Sequence, residues 1–284
     1  MVKTIERPKK NLGESIRQRL KNLSEKRSRP FDEILRYYAM ERFLYRLSIS
    51  PYAEKFFLKG GLILKVWDSM DHRATMDIDL LARTSNQIEN LRRIILEIAT
   101  IICEEDAIAF DTEKLILRKS QTTGDYNGVS ASLSARLFTT RIPLLMDIGF
   151  NDIIIPKPQK IAYPTLLTMP EPTMWGYTPE TVIAEKLESI VKLASVNTRM
   201  KDFYDLWTIL KQHEIQPDHL EQAVKEVFAN RKTSLKYPIA FASVFYDAKE
   251  TQQRWNTFLS SMGQESIELK EIIQKLSPFF DFLR

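Results

Sequence analysis

The sequence predicts an α/β (α+β) fold: a mixed domain over residues 1–165, followed by a helical domain over residues 166–284. Three observations carry this. Short strand-like segments with carboxylates among apolar residues fall before residue 150, interleaved with helical patterns. Residues 156–175 hold Pro156, Pro158, Pro164, Pro170 and Pro172 with little helical pattern, and read as a connector with a boundary near 165–178. Beyond it the apolar spacing is helical to the end.

Taken in order, Leu12, Ile16, Leu20 and Leu23 predict a helix over 11–28, ended by Pro30. A broad stripe from Phe31 to Leu47 predicts a second helix, with Asp32 as its N-cap. Residues 54–58 lead into Lys59-Gly60-Gly61, and a helix is expected from Gly61 to about Ser69. MDHRAT is a loop, 76–82 a strand, and 85–104 an amphipathic helix. Residues 107–120, 126–139 and 141–150 read as strands, the first two joined by the turn QTTGDYNG. Helices are expected over 179–195, 200–212, 217–230, 250–262 and 266–276.

Composition narrows the class. Apolar residues make up 44% and charged residues 27%, as in an ordinary globular protein. No apolar run is long enough to span a membrane, and the first 22 residues lack the apolar core of a signal peptide, so a cytoplasmic protein is expected. The single cysteine, Cys103, excludes an internal disulfide and reads as a buried thiol within IILEIATIIC. The net charge of +4 is uneven: residues 1–30 hold ten Lys/Arg against three acids. Such an arm can attract an anionic polymer such as RNA, and equally suits a solvated helix end.

The stretch FLKGGLILKVWDSMDHRATMDIDLL concentrates the candidate chemistry. Asp77 and Asp79, two apart on a strand, share a face and can hold Mg²⁺ for phosphoryl transfer. A solvent-facing strand with two acids fits the same pattern. Gly60 and Gly61 before a helix allow close approach of backbone N–H groups to an anion, or simply make a turn. The P-loop pattern GxxxxGK[ST] is missing. Arg73 can neutralise a triphosphate or pair with Asp71 or Asp77, while His72 has too few histidine neighbours for zinc. Asp147, in the apolar strand LLMDIGFND, can serve as base or third metal ligand beside Asp77 and Asp79. Asp152 reads as a turn aspartate. Lys186 borders the stripe Ile183, Leu187, Ile190 and Ala194 and suits a polyphosphate tail. Asp202 and Asp205 share a face of the next helix. Ordinary surface salt bridges, Lys186 to an acid and Lys201 to Asp205, explain these residues as well.

The segments FLKGGLILKVW…RATMDIDLL, IPLLMDIGFND, TVIAEKLESIVKL and RMKDFYDLWTIL occur in this order. They resemble the four motifs of the AbiEii/AbiGii (MenT-like) nucleotidyltransferase toxins of bicistronic toxin–antitoxin and phage-abortive infection systems. The likeness covers most of residues 14–212. It implies a fold similar to the polymerase β-type nucleotidyltransferases: a mixed sheet flanked by helices, a helical second lobe, and an active site between them. It further implies that Asp77 and Asp79 bind Mg²⁺ with Asp147 as third acid. Lys59, Gly60, Gly61, Arg73, Thr75 and Lys186 would hold the triphosphate of an NTP substrate, with Lys186 and Asp202 in the catalytic set and Asp205 beside them. Many polymerase β-like enzymes carry Gly-Ser where this chain has Gly60-Gly61, so backbone N–H groups would replace a serine hydroxyl.

The resemblance implies an enzyme that adds nucleotides to RNA, at the tRNA 3′ end in some relatives, halting translation and growth. The basic arm would suit that acceptor, and a cognate antitoxin encoded nearby would be its partner. Two alternatives are a non-catalytic RNA- or protein-binding module on the same scaffold, and nucleotidylation or phosphorylation of a protein side chain.

Overall fold

The computed structural model describes residues 10–67, 73–120, 128–263 and 267–284. The sequence readings for residues 1–9, for 68–72 (which include Asp71, His72 and the expected end of the third helix) and for the turn at 121–127 lie outside these. The expected mixed α/β architecture is present. The chain forms two compact units, Met1–Asn151 with Gln159–Gly176, and Asp152–Pro158 with Tyr177–Arg284.

The first unit contains α1 (Lys10–Lys26), α2 (Phe31–Ser48), β1 (Phe56–Lys59), α3 (Gly60–Trp67), β2 (Asp77–Ala82), α4 (Ile88–Ala99), β3 (Ile108–Lys119), β4 (Val129–Leu137), β5 (Thr140–Phe150), β6 (Gln159–Ala162) and β7 (Thr173–Gly176). The seven strands form one sheet in the order β3-β4-β5-β2-β1-β7-β6. The pairs β2–β5 and β1–β7 are parallel. The other neighbours are antiparallel. Alternation decides the two faces of β5: Ile142, Leu144, Met146, Ile148 and Phe150 are buried, while Pro143, Leu145 and Asp147 are exposed. Helix α2 packs against β5 and β7.

Several local expectations change. The proline-rich stretch 156–175 supplies strands β6 and β7, each only four residues long and too short to show a period. Helix α4 ends at Ala99 although the apolar run continues; beyond it, the Ile101 carbonyl accepts from Arg46 Nε at 2.9 Å. Pro30, not Asp32, occupies the N-cap position of α2, and Asp32 lies in the first turn. Cys103 is half-buried, and burial raises its thiol pKa.

Two buried charges of α2 anchor the first unit. Arg46, 1% exposed, has all five N–H donors placed: two on the Asp106 carboxylate (2.6 and 3.1 Å) and one each on the carbonyls of Arg42, Ile101 and Ile108. Asp106 also offers its carbonyl to the Tyr38 hydroxyl at 2.8 Å. Glu41, fully buried, pairs with Arg42 at 3.0 Å and accepts from the Leu166 N–H at 2.7 Å. Lys65 of α3 is buried with these groups, its Nζ 4.3 Å from the Tyr37 ring centroid and 5.4 Å from that of Tyr163. Burial pushes the Glu41 carboxyl up to about 7 and the Lys65 ammonium down to about 8.

The second unit consists of α5 (Pro179–Leu193), α6 (Met200–Gln212), α7 (Pro217–Asn230), α8 (Ser243–Tyr246), α9 (Lys249–Met262) and α10 (Leu269–Leu276). The one-turn α8 has no counterpart in the sequence reading. Helix α5 packs on α6 and α7, and α6 also meets α9 and α10. Thr178 caps α5, and both it and Thr181 donate hydroxyls to the Ile155 carbonyl, at 3.1 and 2.7 Å. Arg231, just past α7, reaches Asp152 (3.3 Å), Glu185 (2.7 Å) and Glu188 (3.1 Å). Asp152 is therefore a buried ion-pair partner, not a free turn aspartate.

Two stability measurements follow. Replacing Arg46 by Met leaves the Asp106 carboxylate buried and uncompensated, and urea denaturation is expected to show a loss of about 3–5 kcal/mol. Because the folded pKa of Lys65 is depressed, its contribution to stability is absent below about 8 and returns as pH rises towards the usual 10.5. Unfolding between pH 8 and 10.5 should thus show the parent protein gaining stability relative to Lys65→Met. Glu41, with a raised folded pKa, acts oppositely: the stability it contributes at low pH is lost as pH rises from 4.5 through about 7.

Candidate active site

The first unit brings the predicted acids together through strand register. Lys59 on β1 stands opposite Asp79 on β2, and Asp79 stands beside Asp147 on β5. Residues paired across neighbouring strands point to the same face, so Lys59, Asp79 and Asp147 form one transverse row. Asp77 shares that face, one step along β2. Ser130 of β4 extends the row beyond Asp147. Asp147 is on the exposed row of β5, whereas Asp77, Asp79 and Lys59 are half-buried.

Charge crowding is visible in the carboxyl pKa values. That of Asp79 is raised, first by burial and then by Asp147 and Asp77, against the lowering effects of Lys59 and of the Gly61 N–H that the carboxylate accepts. That of Asp147 is raised by the desolvating sheet surface around it and by Asp77. Two neighbouring strands that juxtapose three carboxylates without burying them fully suit a hard divalent cation bound through oxygen. Among the described residues no group of three His, Cys, Asp or Glu side chains is gathered as a finished cation cage. Asp79 instead leans onto the first turn of α3.

That lean explains the glycine pair. Gly60 has φ +65°, a left-handed conformation, and a Cβ there would lie 1.9 Å from Asp79 Oδ2. A Cβ on Gly61 would lie 2.6 Å from Thr75 Oγ1. The two glycines thus admit the side chains of Asp79 and Thr75 to the start of α3, where free N–H groups favour negative charge. Thr75 is fixed from the other side, since its N–H donates to the Tyr37 hydroxyl at 3.0 Å. Arg73, half-buried, donates to the Ala74 carbonyl at 3.3 Å.

The second unit gathers the remaining predicted residues. Lys186 of α5 donates to Asp205 at 2.5 Å and to Asp202 at 3.3 Å, both on α6. Asp202 also accepts from Arg199 Nε at 2.5 Å. Asp202 and Asp205 are almost wholly buried and Lys186 is 9% exposed, so the Lys186 pairs are buried rather than surface ones, while Arg199 reaches Asp202 from an exposed position. Two cations face two carboxylates, which leaves the group neutral. Sequence reasoning passed over Arg199, although its i,i+3 spacing to Asp202 signals the pair. It also missed Tyr37, which no spacing distinguishes from a core aromatic of α2.

No curated protein sequence matches the chain. Among solved structures, the nucleotidyltransferase toxin MenT4 of Mycobacterium tuberculosis H37Rv is similar over 93% of this chain and 99% of its own, with TM-score 0.55 and 14% identity. JHP933 from Helicobacter pylori is similar over 88% of this chain and 91% of its own, with TM-score 0.49 and 16% identity. At these identities the MenT4 match establishes a shared fold. The family model described as nucleotidyl transferase AbiEii toxin, type IV TA system, matches residues 42–281. That span includes every acid of the sheet row and the whole Lys186–Asp202–Asp205 group, and the chain belongs to the AbiEii family of nucleotidyltransferase toxins.

Proposed function

We propose that this toxin transfers a nucleotide from an NTP to an RNA hydroxyl, at the tRNA 3′ end, and thereby inhibits translation and growth. The observation that carries the reading is the Asp77, Asp79 and Asp147 row set against the glycine start of α3. Those three carboxylates are the proposed holders of Mg²⁺. The cation would supply charge neutralisation at the triphosphate and acidify the attacking hydroxyl.

The protein's own groups do the rest. The N–H groups at Gly60 and Gly61, the second of which Asp79 accepts here, are proposed with Lys59, Arg73 and Thr75 to orient the triphosphate. Asp147, the most exposed acid of the row, is the residue proposed to take the proton of the acceptor hydroxyl. Attack at the α-phosphorus forms the new phosphodiester and releases pyrophosphate. Lys186 of α5 is a proposed further cation for the triphosphate. Asp202, with Asp205, holds its ammonium in place. The exposed Arg19, Lys21, Lys26 and Arg27 on and after α1 favour a polyanionic acceptor.

Purified protein should be incubated with each of the four α-labelled NTPs, Mg²⁺ and total tRNA. Label on RNA with a preferred NTP is expected. Label on protein would assign the acceptor to a side chain instead, and no label on either would leave the binding-module alternative. Asp77→Asn and Lys186→Ala should each lower transfer by about 10²-fold or more and relieve growth arrest. Full transfer by Asp77→Asn would remove the cation assignment. Gly60→Ala should be as damaging, because its Cβ displaces Asp79. Its left-handed backbone adds about 1–2 kcal/mol of destabilisation, measurable by thermal melting. Co-expression with the neighbouring gene product tests for the antitoxin: restored growth identifies it.

A further inference from the structure

We infer that Tyr37 is a positioning residue for nucleotidyl transfer, because its buried hydroxyl holds the Thr75 backbone where Thr75, two residues before Asp77, meets the start of α3. This inference rests on the transfer reading proposed above and adds a residue to it that lies outside all four sequence motifs.

Tyr37 is 3% exposed and has two functions in the packing. Its hydroxyl oxygen accepts the Thr75 N–H at 3.0 Å. Thr75 lies two residues before Asp77, and its side chain fills the space that the missing Cβ of Gly61 leaves open. The Tyr37 ring, meanwhile, packs under the Lys65 ammonium, 4.3 Å from its centroid. Lys65 belongs to α3, the helix that Gly60 and Gly61 begin. One side chain of α2 therefore touches both limbs of the site: the segment that delivers Asp77 and the helix whose first turn receives Asp79.

The second limb shows that the arrangement is more than filling. The Lys65 Nζ is buried and has no hydrogen-bond partner among the described residues; its nearest aromatic faces are Tyr37 and Tyr163. An ammonium in such a setting is held by ring faces and by the Glu41 and Glu33 charges. Both contacts to Tyr37 constrain the spacing of α3 and the Thr75–Asp77 run, and displacements of about 1 Å in such a constellation can cost about 10² in rate.

Tyr163 provides the internal control. It is fully buried, it shares the Lys65 ammonium, and its hydroxyl has no partner among the described residues. Tyr37→Phe keeps the ring under Lys65 and removes the hydroxyl that accepts the Thr75 N–H. Tyr163→Phe removes a hydroxyl equally buried but unattached to the site. In steady-state NTP transfer well below the melting midpoint, Tyr37→Phe is expected to lower kcat by about 10- to 100-fold with KM for NTP within about threefold of the parent. Tyr163→Phe should stay within about twofold in both.

A second readout does not need turnover. Hydrogen exchange of the Thr75 amide should accelerate in Tyr37→Phe and not in Tyr163→Phe, and Mn²⁺ titration should show weakened binding only in the former. If the parent protein transfers nothing, the proposed function fails, while exchange and Mn²⁺ binding still decide the role of Tyr37. Unchanged kcat in Tyr37→Phe, an equal loss in Tyr163→Phe, or a loss that only follows the folded fraction would overturn the inference. So would unchanged Thr75 exchange or unchanged Mn²⁺ binding.

Discussion

The seating of the Asp79 carboxylate against a left-handed glycine governs the centre of the first unit. Strand register places Asp79 between Lys59 and Asp147, so neighbouring charge is dictated by the backbone and not by side-chain choice. Burial and two nearby carboxylates disfavour ionisation, and Lys59 and the Gly61 N–H oppose them. Only a residue without Cβ leaves Asp79 room at position 60, and only a backbone free to adopt φ +65° turns there into α3. Sheet, turn and helix are thus fitted to one oxygen. This is why a glycine pair that first suggests a phosphate cradle is also the seat of a carboxylate.

The two units treat charge differently. In the helical unit, Lys186, Arg199, Asp202 and Asp205 balance one another, and Arg231 collects Asp152, Glu185 and Glu188 around a single guanidinium. Removing one member of such a group strands its partners in a poorly solvating interior, so each group behaves as a unit. The sheet row also sets three acids against one cation, Lys59, as the Arg231 group does, but on a partly open face rather than in a buried cluster. A surplus of negative charge on a partly open sheet face invites a cation, whereas balanced buried pairs resist change. Lys65 belongs to neither pattern: aromatic faces, rather than a hydrogen bond, hold its ammonium.

How far the sequence foretold this depends on the range of the forces involved. Most helices and the strand carrying Asp77 and Asp79 were legible because burial imposes a period on them. The proximity of Asp147 to Asp79 was an expectation that register alone could test, since 68 positions separate the two and nothing local links them. The pairing of Lys186 with both Asp202 and Asp205 was half visible, as surface salt bridges; their burial depends on how α5 and α6 pack. Strands β6 and β7 were hidden by brevity and proline content. Tyr37 was hidden more thoroughly, because a tyrosine in a core stripe looks the same whether its hydroxyl is idle or holds another segment in place.

The prolines first read as connector acquire another meaning once β6 is seen to be the last strand of the sheet. An unfinished sheet margin offers N–H and C=O groups to any extended chain that drifts past. Here the margin is four residues long, with Pro158 directly before it and Pro164 two residues after it. Proline has no N–H to lend, so a foreign strand cannot extend its ladder past either end. Lys160, exposed on the same strand and resting over Trp175, adds a charge that would have to be stripped of water for stacking to continue. The opposite margin, β3, is longer, but its pairing slips between Asp111 and Ile116, and Lys114, Arg118 and Lys119 lie along it. The sheet is thereby guarded at both margins against sticking to copies of itself.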